Sequence, residues 1–199
     1  MLFIDSTMRS VLFTFMFFVI IGANGQGIDS NKHRNSSSYI NKVKLNTLNG
    51  NPLNFYLAHR HVDENAKKFY KGEVDIRNQQ ILYGILDSLI SCNSEVRPFY
   101  FFLFNQIVDI SDGTFDELVA LNCKVFVEKY PCDFFNSFNQ SELNINVVKW
   151  TMLIGYNLKD KGSFAVFRKT IDDKVKRNCS DVYDLLKSFM MEVRMCLVR

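Results

Sequence analysis

Apolar positions from residue 76 onward recur at three- and four-residue intervals, the period of an amphipathic helix. In residues 76–91, Ile76, Ile81, Leu82, Tyr83, Ile85, Leu86, Leu89 and Ile90 fall on one side, while Arg77, Gln80, Gly84, Asp87, Ser88 and Ser91 fill the other. In the run RPFYFFLFNQIVDISDG, residues 97–113, apolar side chains cover an arc of ~200° on the same wheel. So wide an arc predicts a central helix with neighbours on two sides. Phe102 departs from it, falling among Asn105, Gln106 and Asp109 on the face expected to meet water, and is a candidate partner contact.

Thr114 and Glu117 form a capping-box pattern after Gly113, and Pro131 stops the helix that they open. Residues 141–158 read as a helix, with Val147, Val148 and Ile154 leaving a strand open. Ser163 is expected to cap the next helix, and a last one runs from Ser180 or Asp181 to about Leu197. In that last helix Val182, Leu185, Leu186, Phe189, Met190, Val193, Cys196 and Leu197 make one apolar face. Met191 and Met195 stand apart from it, one turn from each other. Two flexible thioethers on a polar stripe suit an adaptable contact, so both are candidate partner-binding residues.

Upstream the pattern is different. Residues 26–62 are polar and rich in Asn, Ser and Lys, and predict a flexible arm with a turn at Asn49-Gly50-Asn51-Pro52. Within it, residues 53–61 read as a short strand or an extended segment. Before the arm, Arg9 precedes an apolar run from Val11 to Ala23, too short for a membrane span, which needs ~20 residues. Ala23 and Gly25 provide small residues for a cut after Gly25. Residues 1–25 thus read as a signal peptide, leaving no stable membrane anchor after cleavage. The expected fold is all-α: an irregular bundle of about six to eight antiparallel-packed helices over residues 63–199, following the arm.

Charge and cysteines then narrow the function. Residues 26–62 carry five Lys/Arg against one Asp, residues 63–142 seven against thirteen Asp/Glu, and residues 159–199 ten against six. This spread lacks the single basic face of a nucleic-acid binder and suits a charged protein partner better. Cys92, Cys123, Cys132, Cys179 and Cys196 show no zinc spacing, and in a secreted or periplasmic protein they should oxidise in pairs. If three helices alternate in direction from residue 75, Cys92 and Cys132 share one end of the bundle and form the expected disulfide. Cys179 lies at the other end, and Cys123 is the buried odd thiol.

His59 and His61 are the closest histidines, but no third metal ligand accompanies them in the pattern. Asp172 and Asp173 diverge by 100° on a helix and offset Arg168, Lys169, Lys174, Lys176 and Arg177 on a solvated face. No phosphate loop, nucleophile elbow or metalloprotease helix occurs, and no cofactor is implied. The favoured expectation is a non-enzymatic module that binds another protein, in a role such as an inhibitor or immunity protein. A carrier of a hydrophobic small molecule or lipid ranks second, motivated by nineteen phenylalanines. An enzyme without a recognisable motif ranks third.

Overall fold

The computed structural model describes residues 45–197; residues 1–25, expected to be a signal peptide, and residues 26–44 of the arm lie outside the described residues. Strands β1 (Thr47–Leu48) and β2 (Asn51–Pro52) pair antiparallel. They are joined by Asn49 and Gly50, both with positive φ (49° and 76°), the conformation that favours Asn-Gly in a two-residue hairpin turn. Nine α-helices follow among the described residues. These are α1 (Leu53–Ala58), α2 (Glu64–Tyr70), α3 (Gln79–Ser91), α4 (Arg97–Ile110), α5 (Thr114–Lys129), α6 (Pro131–Asn136), α7 (Val147–Leu158), α8 (Lys161–Asn178) and α9 (Tyr183–Cys196). The fold is all-α, as its periodicity predicts.

Short polar residues start four of these helices, because their side chains accept from backbone N–H groups that lack intrahelical partners. Asp63 accepts from Asn65 N and Ala66 N to open α2, Asn78 from Gln80 N to open α3, and Asn146 from Lys149 N to open α7. Asp160, not Ser163, caps α8: its carboxylate accepts the Ser163 N–H at 2.8 Å and the Ser163 hydroxyl at 2.9 Å. Gly113, at φ 54°, takes the flanking position before α5 in which the sequence reading puts Thr114. Pro98 and Pro131 sit in the first turns of α4 and α6, where a missing N–H costs nothing.

The arm boundary moves. From Leu45 on, the segment assigned to the arm belongs to the folded domain, because Leu48 and Tyr56 are wholly buried and Leu45, Leu53 and Val62 nearly so. Residues 53–58 are helical, not extended: Leu53 and Tyr56, one turn apart, point inward together, and the Tyr56 hydroxyl donates to Leu48 O at 3.1 Å. Residues 141–158 likewise divide. A 3-10 turn at Ser141–Leu143 ends in left-handed Asn144, and α7 begins only at Val147.

α4 is the central helix, with buried residues at Phe99 to Asn105, Ile107 and Val108. Around it the rings interlock: Phe101 stacks on Phe126 at 4.9 Å, Phe104 meets Trp150 edge-on at 5.4 Å, and Phe134 lies 4.8 Å from Trp150 and 5.2 Å from Phe189. Offset and edge-on pairs of this kind add to the burial of large apolar area. The aromatic run is therefore the middle of the core. α7 packs most extensively against α5 on one side and α9 on the other.

The cysteine pairing also differs from the expectation. Cys132 is bonded to Cys179, and Cys92 is a free, half-buried thiol. Strict alternation of helix direction fails because α6 and two 3-10 turns, not one long helix, link α5 to α7. The C-terminal end of α8 consequently lies beside that of α5, where Lys174 Nζ donates to Glu128 O. Cys123 is the buried free thiol that the apolar spacing of α5 predicts.

Candidate functional site

Phe102 does not belong to any surface. It is only 2% exposed, because Tyr70 of α2 closes over that side of α4, the two rings being 6.1 Å apart. The wheel failed there because it treats one helix alone, and α2 supplies the missing neighbour. Phe102 is core, and its candidacy as a partner contact is withdrawn.

The methionine pair stands differently. Leu186, Phe189, Met190 and Val193 turn inward from α9, with Phe189 edge-on to Phe134 and Phe135. Met191 and Met195 point outward, 63% and 58% exposed. Neither is covered by another helix of the described residues. Leu185, placed by the wheel on the docked face, is partly exposed as well.

A second stripe, not singled out by the sequence reading, lies on α7. Val148, Met152 and Tyr156 are exposed at successive intervals of four residues, while Trp150, Leu153, Ile154 and Leu158 face the core. The spacing alone carries this signal. It goes unread because Val147, Val148 and Ile154 leave the choice between helix and strand open, and the two choices distribute side chains to different faces. Gly155 sets how closely α7 and α9 approach: a Cβ there would fall 2.6 Å from Cys196 Cβ and 3.2 Å from Val193 O. Two neighbouring helices thus each present exposed apolar side chains.

The charges nearby are mostly engaged locally. Lys187 Nζ donates to Asp184 at 3.0 Å, and Lys149 reaches away to Asp116 Oδ1 and Ser111 O, both at 3.0 Å. On α8, Arg168 lies 3.8 Å from Asp172, and Arg177 Nε donates to Asp173 O. Pairs this exposed contribute little to stability and leave a solvated face.

His59 and His61 find their contacts locally. His59 Nε2 lies 3.4 Å from Glu95 Oε2, the His61 N–H donates to His59 Nδ1, and Arg60 Nε donates to His61 Nε2. Among the described residues no group of three or more His, Cys, Asp or Glu is placed to hold a metal ion, and no helix is long and apolar enough to cross a membrane. No protein-family model, no curated protein and no solved structure matches this chain.

Proposed function

We propose that the domain is a non-enzymatic module that binds another protein through the outer faces of α7 and α9. The observation that carries this reading is the exposure of Val148, Met152, Tyr156, Met191 and Met195 on two helices packed side by side. Single apolar side chains are ordinary on a surface, but exposed apolar stripes at helical spacing on two packed helices support an interaction site. Methionine and tyrosine are suited to it: thioethers adapt to an opposing surface, and a phenol combines a broad apolar ring with a polar end. An inhibitor or immunity-type role fits such a face. Action outside the cytoplasm is supported by the leader pattern and by the Cys132–Cys179 disulfide. The phenylalanines that motivate a lipid carrier are largely taken up in the ring network of the core, so their number needs no ligand to account for it.

The test begins with capture from the native compartment using residues 26–199, identification of the captured protein, and reconstitution of the pair from purified components. Met191→Glu with Met195→Glu, and separately Val148→Glu with Tyr156→Glu, should each abolish binding while leaving the melting temperature nearly unchanged. Binding that survives both double substitutions removes the face from the interface. Unfolding of either variant shows its stripe to be core.

A further inference from the structure

A cleft of ≈ 320 Å³ opens between the start of α4, α6 with the turns that follow it, and the β1–β2 turn. This is near the lower limit for pockets that hold small molecules. Its floor is apolar, formed by Pro98, Phe101, Phe126 and Leu143; its rim is polar, with Asn49, Arg97, Asp133, Asn136 and Gln140. The walls are held from several directions. The Cys132–Cys179 disulfide fixes the first turn of α6, next to Asp133, and Asn105 Nδ2 donates to Leu143 O at 2.7 Å.

Among the described residues that line the cleft, the charges cancel. Arg97 Nη1 donates to Asp133 Oδ2 at 2.5 Å, Nη2 donates to Cys92 O at 3.4 Å, and the guanidinium lies 3.8 Å from the centre of the Tyr130 ring. An anion would have to displace Asp133 from this arrangement, and a cation would have to compete with Arg97. The site therefore favours a neutral ligand.

Two buried polar atoms of the rim are left without partners: Arg97 Nε, a donor, and Gln140 Oε1, an acceptor. They come from different walls, so a ligand that satisfies both needs an acceptor and a donor on separate atoms. A carboxamide has that arrangement. The Gln140 side chain is the movable partner, since its Nε2 is held by a long 3.4 Å bond to Asn49 Oδ1. Engaging Oε1 from the cleft takes a turn of that terminal carboxamide.

We propose that this cleft binds a small neutral molecule carrying a carboxamide beside an apolar or aromatic group. The amide lies between Arg97 and Gln140, and the apolar part rests on Phe101, Phe126 and Leu143. This site is separate from the α7–α9 face, and its test does not depend on that face being an interface.

Benzamide is the probe, with benzoate, benzamidinium and benzyl alcohol as matched competitors, titrated into the ¹⁵N-labelled protein and followed by two-dimensional NMR. Benzamide should give saturable shifts in the side-chain amides of Asn49, Asn136 and Gln140. The two charged analogues should bind about tenfold more weakly or worse, and the alcohol should fall between. Gln140→Leu should weaken benzamide about tenfold without lowering the melting temperature. Gln140→Ala, a plain truncation of a half-buried side chain, repeats the test if the Leu variant is unstable. Absence of saturable shifts, benzoate binding as tightly as benzamide, or full affinity in a folded Gln140 variant would overturn the proposal.

Discussion

The Trp150 indole N–H donates to Asn105 Oδ1 at 3.0 Å in the middle of the core, where both residues are wholly buried. The same carboxamide donates through Nδ2 to Leu143 O at 2.7 Å, so one polar side chain ties α4 to α7 and to the turn before it. Each polar side-chain atom of this pair thus has a partner. Removing the carboxamide leaves a buried donor and a buried acceptor unpaired, each costing about 1–3 kcal/mol. Asn105→Ala should therefore destabilise the domain by about 2–5 kcal/mol. Chemical denaturation followed by Trp150 fluorescence measures it, and a loss below about 1 kcal/mol would show that the network relaxes or rehydrates at little cost.

Asn105 also shows where the sequence stops being legible. Helix existence, the central place of α4 and the burial of Cys123 follow from periodicity, because each is a property of one helix and its own apolar arc. Asn105 and Phe102 share the polar sector of that wheel, yet both are buried: Leu143 and Trp150 cover one, Tyr70 the other. Which element covers a given sector is a tertiary matter that no single wheel contains. The disulfide is illegible for the same reason, since pairing Cys132 with Cys179 depends on how α6 and its turns redirect the chain. Met191 and Met195 are exposed, and nothing among the described residues is packed over them, which the sequence pattern alone left open. The Arg97 cleft gathers Asn49, Arg97, Asp133 and Gln140 from four separate segments, and no local pattern marks it.

Two glycines in helices should respond with opposite signs. Gly84 of α3 has nothing within 4 Å of an added Cβ, so Gly84→Ala gains helix propensity alone and should stabilise by about 0.5–1 kcal/mol. At Gly155 the same methyl meets Cys196 Cβ at 2.6 Å and backbone of α9. Gly155→Ala must push α9 away from α7, and overpacking of about 1–3 kcal/mol outweighs the propensity gain. Urea midpoints of the two variants should move in opposite directions. A Gly155→Ala variant as stable as the parent would mean that α9 is not held against α7 as closely as its packing indicates.

The cysteines make a separate prediction about accessibility. Peptide mapping without reductant should recover Cys132 joined to Cys179, and reduction should cost about 2–4 kcal/mol, given a loop separation of 47 residues. Under native conditions a maleimide should label Cys92 and Cys196, both partly exposed, and spare Cys123 until the protein unfolds. Labelling of Cys92 should be slow, because burial raises its thiol pKa above the usual range and keeps the reactive thiolate scarce, despite the nearby Arg97. Cys123, pushed well above that range by complete burial, should be slower still. Prompt native labelling of Cys123, or recovery of Cys92 linked to Cys132, would contradict the arrangement of α5, α6 and α8.

The last prediction concerns pH and the cap of α8. The Asp160 carboxylate accepts the Ser163 backbone N–H and, secondarily, the Ser163 hydroxyl, and these bonds lower its pKa below the ordinary value of 3.8. A carboxyl whose pKa is depressed by folding stabilises the folded state above its unfolded-state pKa. That contribution fades as pH falls through the folded-state value, where both states become protonated. Asp160→Ala removes the cap at every pH, whereas Asp160→Asn keeps an acceptor that does not titrate. The stability gap between the parent and Asp160→Ala should thus be largest near neutrality and shrink below about pH 4. The gap between Asp160→Asn and Asp160→Ala should hardly change over the same range. Urea midpoints of the three proteins, measured from about pH 7 to pH 2, read both differences directly. A parent-to-Ala gap that stays constant through this range would show that the ionised carboxylate is not what holds the first turn of α8.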